Sequence, residues 1–428
     1  MTEMLILFTF LVLALMIGIE IPFALGISTF LTVLFVQIPM NISSIAQIAT
    51  GIIPDSVSLI AIPLFVFTGS LIGHSFLGER LILVANAIVG RIRGGLAVVN
   101  IVASFLFGGI QGSASADTAA IGGVLIPMMT KAGYDKDFSV VVTITSSCLG
   151  PIVPPSIIMI VFGSLTNTSI IGLFLGGYIP GLLLALALIM LSIYYSYKRD
   201  YPVSEGIGVK AALKIVIKQI PLAFLPVGVI GGIISGIFSP TEAGTFGVIY
   251  SFIMLIIYGE IKNVNYYEVL LDVVSTTAIA CFLMAFAAVF SRFLILTRAP
   301  YYLGEMLMTH VSSAYVFLLF CLLIFLFLGC FMNPVAAMAI SLPVLFPIAT
   351  MFGIEPIHLG IVTTVSLAIG HVSPPVGISL FIGTDIAKIK IEEVIPMLIP
   401  YLLLMITVVI IIILFPSLIM WLPNLFGF

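Results

Sequence analysis

Shifted by 220 residues, the sequence aligns with itself without a gap from Gly109 to Leu184. Gly109 meets Gly329, Pro127 meets Pro347, Gly133 meets Gly353, and Pro154-Pro155 meets Pro374-Pro375. Thr143 falls on Thr363, Ser146 on Ser366, Gly150 on Gly370, Gly163 on Gly383 and Pro180 on Pro400. The identities concentrate in glycine and proline. Shared leucines mean little in an apolar chain, whereas backbone-breaking residues at one fixed spacing mark a duplication. Upstream, Pro22 to Gly26 resembles Pro240 to Gly244 at nearly the same offset. The pattern predicts two like halves, residues 1–197 and 221–428, joined by a connector over 198–220.

What each half folds into follows from its solvent. Only 8% of residues are charged and 61% are hydrophobic, against about 25% charged in soluble domains. That gap excludes a soluble enzyme, a disordered chain and a nucleic-acid binder, and a net charge of -3 gives no polyanion-seeking field. Apolar runs predict spans near 4–20, 22–38, 58–77, 138–162 and 171–197, then 221–237, 240–258, 273–296, 359–382 and 395–421. The segment from Met1 to Ile19 lacks the basic start of a signal peptide and reads as a retained first span. The stretches 95–130 and 313–352 are too long for one span. Each is interrupted in its middle, the first at Gly112-Ser113-Ala114-Ser115-Ala116-Asp117 and the second at Gly329-Cys330-Phe331-Met332-Asn333-Pro334. Both read as re-entrant helical hairpins.

Charge supports that topology. With ten spans, two hairpins and an outside N-terminus, Arg80, Arg91, Arg93, Lys131, Lys136, Lys198, Arg199, Lys210, Lys214, Lys218, Lys262, Lys388 and Lys390 all fall inside. These are 13 of the 15 Lys and Arg residues, a clear positive-inside bias that leaves both termini outside. Five spans per half, an odd number, insert the halves upside-down relative to each other. The expected fold is an all-α polytopic membrane protein of two inverted-topology repeats, each with five spans and one re-entrant hairpin. Inverted repeats are an architecture of secondary transporters, whose sites lie at broken helices near the midplane.

The chemistry is expected where backbone is freed. Gly150-Pro151-Ile152-Val153-Pro154-Pro155 and Gly370-His371-Val372-Ser373-Pro374-Pro375 cannot continue a helix. Each break should meet the hairpin tip of its own half. Freed carbonyls with hydroxyl and amide oxygens suit a hard cation such as Na⁺, and half-helix N-termini suit an anion. The first candidate Na⁺ site is Ser113, Ser115, Asp117, Ser146 and Gly150, and the second is Cys330, Asn333, Ser366, Gly370 and Ser373. Candidate substrate contacts are Ser113, Pro154, Asn333, Pro374 and Arg292. Plainer roles compete: close helix packing for the small residues, a helix cap for Asp117, a structural role near a span end for Glu242, and snorkelling for Arg292. Cys148, Cys281, Cys321 and Cys330 lie in apolar stretches without metal-ligand spacing and read as structural thiols.

At these motifs the chain resembles the large membrane subunit, the M or DctM-type, of TRAP (tripartite ATP-independent periplasmic) transporters. The carrying residues are Gly108-Gly109-Ile110-Gln111-Gly112-Ser113-Ala114-Ser115-Ala116-Asp117-Thr118-Ala119-Ala120, Gly150-Pro151-Ile152-Val153-Pro154-Pro155-Ser156 and Phe238-Ser239-Pro240-Thr241-Glu242-Ala243. The resemblance covers essentially the whole chain, with sialic-acid and dicarboxylate permeases as its nearest branches. It implies a small four-helix membrane subunit, a soluble periplasmic substrate-binding protein and a Na⁺ gradient in place of ATP. It also implies a carboxylate-bearing substrate, an elevator-type movement, a bacterial inner membrane and, at this length, an unfused large subunit. One departure stands out. Related standalone carboxylate symporters carry Ser-Asn-Thr at both tips, whereas the tips here are Ser-Ala-Ser and Met-Asn-Pro.

The competing transport reading is a standalone Na⁺/divalent-anion symporter that needs no binding protein. A membrane-embedded enzyme would want converging histidines or carboxylates, and His74, His310, His358 and His371 are scattered. A passive channel does not call for paired inverted hairpins.

Overall fold

A computed structural model describes residues 2–36, 40–55, 57–89, 92–203, 209–311 and 313–428. Arg91, counted above among the inside cations, and part of the 198–220 connector lie outside the described residues. Among those described the chain is all α-helical, without a strand. The first half holds α1 (Thr2–Met16), α2 (Ile21–Phe35), α3 (Ile42–Asp55), α4 (Ala61–Gly73), α5 (Leu77–Val89), α6 (Gly95–Gln111), α7 (Ala114–Lys131), α8 (Lys136–Ser147), α9 (Leu149–Ile152), α10 (Ile157–Thr166) and α11 (Ile170–Lys198). The second holds α12 (Val209–Ile234), α13 (Pro240–Ile257), α14 (Tyr266–Leu296), α15 (Ala299–His310), α16 (Ala314–Phe331), α17 (Pro334–Met351), α18 (Pro356–Gly370), α19 (Ile378–Ala387), α20 (Ile391–Leu414) and α21 (Ser417–Leu425).

Six helices are each long and apolar enough to cross a membrane: α11, α13, α14, α16, α17 and α20. Among the described residues three bent pairs act as further candidates: α4 with α5 at 73°, α8–α9 with α10 at 41°, and the two parts of α12 at 47°. Residues 42–55, which lie between two expected spans, form the helix α3. The structure departs from one expected span. The run 395–421 breaks at Phe415-Pro416, where α20 ends and the short α21 begins, because proline withdraws a backbone donor. After the span that holds α4 the chain turns sharply into α5.

Burial separates an inner set of helices from an outer one. Every residue of α8 from Phe138 to Ser147 is buried, and so is every residue of α18 from Ile357 to Gly370. A helix enclosed all round sits in a core, and α6, α7, α11, α16, α19 and α20 supply that enclosure. The outer set shows broad apolar faces such as Ile249, Ile253 and Ile256 on α13, as lipid requires. Within it α14 packs on α2, α3 and α4, and α4 packs on α13. Backbones come close there through glycine: a Cβ at Gly244 would lie 2.8 Å from Leu64 Cβ. Glu242 has the structural role considered for it, closing a capping box with Ser239 at the start of α13.

A polar clamp closes one end of the core. Arg199, at the C-cap of α11, donates to both Asp135 and Asp137 at 2.9 Å, and Tyr201 donates to Asp135 at 2.8 Å. The Asp137 carboxylate holds the guanidinium protonated well above its ordinary range. Burial pushes the Tyr201 phenol up.

Candidate functional site

In the first half α6 stops at Gly112, whose φ of +65° suits glycine. A Cβ there would also lie 3.0 Å from the Pro155 carbonyl oxygen. Ser113 then starts α7 as its N-cap, accepting from the Ala116 amide and lying 3.2 Å from the Ser115 hydroxyl. The tip sits on the break of the neighbouring helix. A Cβ at Gly150 would lie 3.2 Å from the Ser113 carbonyl oxygen, and one at Gly108 would lie 2.9 Å from Gly150 Cα. The break follows from Pro151, Pro154 and Pro155, with a cis bond between the last two. Ser156 repairs part of it by donating to the Pro151 carbonyl and capping α10. One of the freed carbonyls thus has a protein partner.

Below the tip lies a buried polar cluster. Asn100 on α6 donates to Thr143 at 2.7 Å, its amide oxygen lies 3.3 Å from Ser146 Oγ, and the Ser104 and Ser146 hydroxyls are 3.0 Å apart. Asp117 is fully buried, and neither carboxylate oxygen has a hydrogen-bond partner. Ser113 fills the N-cap position, so a capping role for Asp117 is not what the structure shows. A buried carboxylate beside the Ser104 hydroxyl, with no close hydrogen bond, is costly, and either a proton or a bound cation would offset it. Ser113, Ser115 and Gly150 therefore come together, with Ser146 deeper beside Asn100 and Ser104. Sequence reasoning missed Asn100 and Ser104. Their signal was available, as two polar residues four apart within the otherwise apolar α6.

The second half repeats the arrangement in backbone more than in side chains. A Cβ at Gly370 would lie 2.8 Å from Gly329 Cα, so the end of α16 rests on the end of α18 backbone to backbone. Two hydrogen bonds fix the tip: Gly377 N–H donates to the Cys330 carbonyl at 3.1 Å, and Cys330 Sγ to the Ser373 carbonyl at 3.1 Å. Asn333 caps α17 by accepting from the Val335 amide at 2.9 Å. Ser373 Oγ donates back to Ile369, and the Pro374-Pro375 bond is cis. Thr363 and Ser366 keep buried hydroxyls without a partner, as does His371 Nδ1. Cys330, Asn333, Gly370 and Ser373 thus gather at one tip, with Ser366 one turn down α18.

Arg292 is placed elsewhere. It lines a separate cavity of about 960 Å³ with Ser291, the turn between α10 and α11, and Pro343 and Pro347 of α17. A second cavity, of about 560 Å³, reaches the first tip directly. Ser113, Ser115 and Gln111 face Ser70 and His74 of α4 and Asp272 of α14 across it. Sequence reasoning assigned nothing to His74 and Asp272, which are 198 residues apart and meet at 2.8 Å only in the fold. His358 is used structurally, its Nε2 3.0 Å from the Ile412 carbonyl. Among the described residues no three His, Cys, Asp or Glu side chains gather as a metal site.

Comparison with known proteins places this geometry. The family model described as the tripartite ATP-independent periplasmic transporter, DctM component, matches residues 4–418. The sialic acid TRAP transporter large permease protein SiaM of Vibrio cholerae is 36% identical, over 87% of this chain and 87% of its own. The C4-dicarboxylate TRAP transporter large permease protein DctM of the same organism is 34% identical, over 98% of this chain and 97% of its own. Among solved structures, the Alcanivorax borkumensis YdaH transporter superposes with a TM-score of 0.61 at 14% identity, covering 90% of each chain; that likeness is one of fold. The chain belongs to the DctM component family of the tripartite ATP-independent periplasmic transporters.

Proposed function

We propose that this chain is the large permease subunit of a Na⁺-driven tripartite transporter that imports a carboxylate-bearing organic acid. The acid is of the sialic-acid or C4-dicarboxylate type that the relatives' names record. A periplasmic binding protein delivers it, and a small four-helix membrane subunit completes the complex in the bacterial inner membrane. Both chain termini face the periplasm. One observation carries the reading: in each half a hairpin tip rests on a proline-broken helix, with buried polar atoms left unpaired beside the contact.

In this reading the two halves are inverted repeats, and α6–α7 and α16–α17 re-enter the side they start from. Na⁺ binds first among Ser113, Ser115, Asp117, Ser146 and Gly150, and again among Cys330, Asn333, Ser366, Gly370 and Ser373. The N-termini of α7 and α17 direct backbone donors at the substrate carboxylate. Ser113, Pro154, Asn333 and Pro374 line its path. Arg292 attracts it from its own cavity. The tips and broken helices then move together, elevator-fashion, against α2, α4, α13 and α14.

The test is uptake of labelled organic acids into proteoliposomes holding this chain and the small subunit under an inward Na⁺ gradient. Uptake should require both the gradient and the binding protein. Gradient-driven uptake without the soluble protein would make the chain a standalone symporter, and uptake indifferent to Na⁺ would remove both cation sites.

A further inference from the structure

α14 is a single uninterrupted helix of 31 residues. Asp272 and Arg292 stand twenty residues apart on it, about 30 Å at 1.5 Å per residue and close to the thickness of a bilayer's hydrocarbon core. Each end walls one of the two cavities described above, and the facing wall of each comes from the hairpins and broken helices. At the Arg292 end the facing wall includes Ser164, whose buried hydroxyl has no partner, and no described lining residue is acidic. At the Asp272 end the facing wall is Ser113 and Ser115, and no described lining residue is Lys or Arg.

The acidic end is built. Asp272 Oδ2 accepts from Ser70 Oγ at 3.0 Å and lies 2.8 Å from His74 Nε2. Glu268 Oε2 lies 3.7 Å from His74 Nδ1. Two carboxylates against one imidazole leave the cluster net negative whichever form the imidazole takes. The cost of charge in hydrocarbon explains why both groups sit near the ends of α14. It does not explain why Arg292 lines a cavity with no acidic described residue and Asp272 one with no Lys or Arg.

We infer that α14 is an electrostatic dipole for the transported anion, with Arg292 as its capture pole and the His74–Asp272–Glu268 cluster as its release pole. This deepens the transport reading and rests on it. An organic anion is drawn to the Arg292 cavity, and once its site opens to the other cavity the acidic cluster weakens its hold and favours departure. Asp272 is a positioning residue for release: it acts through the field in the cavity, and His74 and Ser70 keep it aimed. A charge at this range in a partly wet cavity changes anion affinity about tenfold.

The field can be read without knowing the substrate. Cys148, Cys321 and Cys330 are buried, so Cys281→Ala leaves a background of three shielded thiols. On it, Ser291→Cys reports the Arg292 cavity and Thr276→Cys the Asp272 cavity, with Ala119→Cys as a second reporter there. Each is reacted with the anionic 2-sulfonatoethyl and the cationic trimethylammonioethyl methanethiosulfonate. The anionic-to-cationic rate ratio should be at least about tenfold higher at Ser291→Cys than at the other two. Asp272→Asn with Glu268→Gln should erase the cationic preference, and Arg292→Gln the anionic one. Equal ratios at the three reporters would overturn the proposal. In oriented proteoliposomes, the half-saturating concentration for succinate or gluconate should be higher from the Asp272 face and fall about tenfold in Asp272→Asn; no change there would overturn the release role. Polarised thiol rates with no flux of either acid would instead defeat the transport step on which the role depends.

Discussion

Gly370→Ala isolates the contact on which the candidate site is built. The added Cβ would lie 2.8 Å from Gly329 Cα, 2.9 Å from Gly329 C and 2.9 Å from the Leu326 carbonyl oxygen. All three are backbone atoms, so no rotamer change relieves them. Restoring ordinary contact requires the end of α16 to retreat from α18 by about 0.5 Å, a strain worth about 1–3 kcal/mol in a packed interior. The retreat also stretches the bonds from Gly377 N–H to the Cys330 carbonyl and from Cys330 Sγ to the Ser373 carbonyl, both 3.1 Å, adding about 1 kcal/mol for each one lost. The variant should therefore lose about 2–5 kcal/mol of stability, with one or both bonds lost, and open the second tip. The assay pairs thermal unfolding of purified protein with Na⁺-gradient uptake. The control is Gly123→Ala, where a Cβ meets nothing within 4 Å and the helix should gain up to about 1 kcal/mol. If Gly370→Ala melts and transports like the wild type while Gly123→Ala does too, the backbone contact between tip and break is not what holds this site.

Asp117→Asn should leave unfolding in K⁺ unchanged or slightly improved, since it removes an unpaired buried carboxylate. It should abolish the added stability that saturating Na⁺ gives the wild type, about 2.7 kcal/mol at a hundredfold excess over Kd; thermal scans in NaCl against KCl decide, and a retained Na⁺ shift removes Asp117 from the site. Asn100→Leu strips partners from both Thr143 and Ser146 and should cost about 1–3 kcal/mol, read as a lower melting temperature in Na⁺-free buffer. Arg199→Gln breaks the clamp to Asp135 and Asp137 but should cost only about 1 kcal/mol, because the pair is partly exposed to solvent. Its pH dependence has a definite sign. A guanidinium held above its ordinary range contributes fully below its unfolded pKa and is lost only as pH climbs past the folded one. The stability difference between Arg199→Gln and wild type should thus be flat from about pH 6 to 9, and a slope across that range would point to another titrating group.

The backbone of this site was legible in the sequence because proline and glycine state their geometry locally. Pro154, Pro155, Pro374 and Pro375 mark the breaks, and Gly150 and Gly370 mark where another backbone arrives. Nothing local states which side chain faces which. Ser146 was legible as a residue near a break, but its neighbours Asn100 and Ser104 lie more than forty positions away, and their spacing on α6 marks them as polar without saying what they face. The meeting of His74 with Asp272 is likewise a product of how α4 lies on α14. Packing also shapes what lies between the expected spans: residues 42–55 form a helix that packs against α14. Arg292 was considered as a substrate contact because it is charged and within a span, and only the fold shows that α14 carries it to a cavity apart from the tips.

The two halves share the elements that break a helix and differ in the side chains beside them. At the 220-residue shift Asn100, Ser104 and Asp117 fall on Phe320, Ile324 and Ala337. The first half therefore holds the one fully buried carboxylate among the described residues, inside a hydrogen-bonded cluster. The second keeps Thr363 and Ser366 but none of the groups that would pair them, and their hydroxyls stand free. A cation in the first site would meet a full opposing charge, whereas one in the second would depend on neutral oxygens and backbone carbonyls. Since a full charge in a low-dielectric site outweighs several neutral dipoles, the first site should fill at lower Na⁺. In the proposed reading the second would then be the one whose occupancy tracks the gradient. The two tips match in backbone, and in that reading the lost symmetry of their side chains would let them do different work.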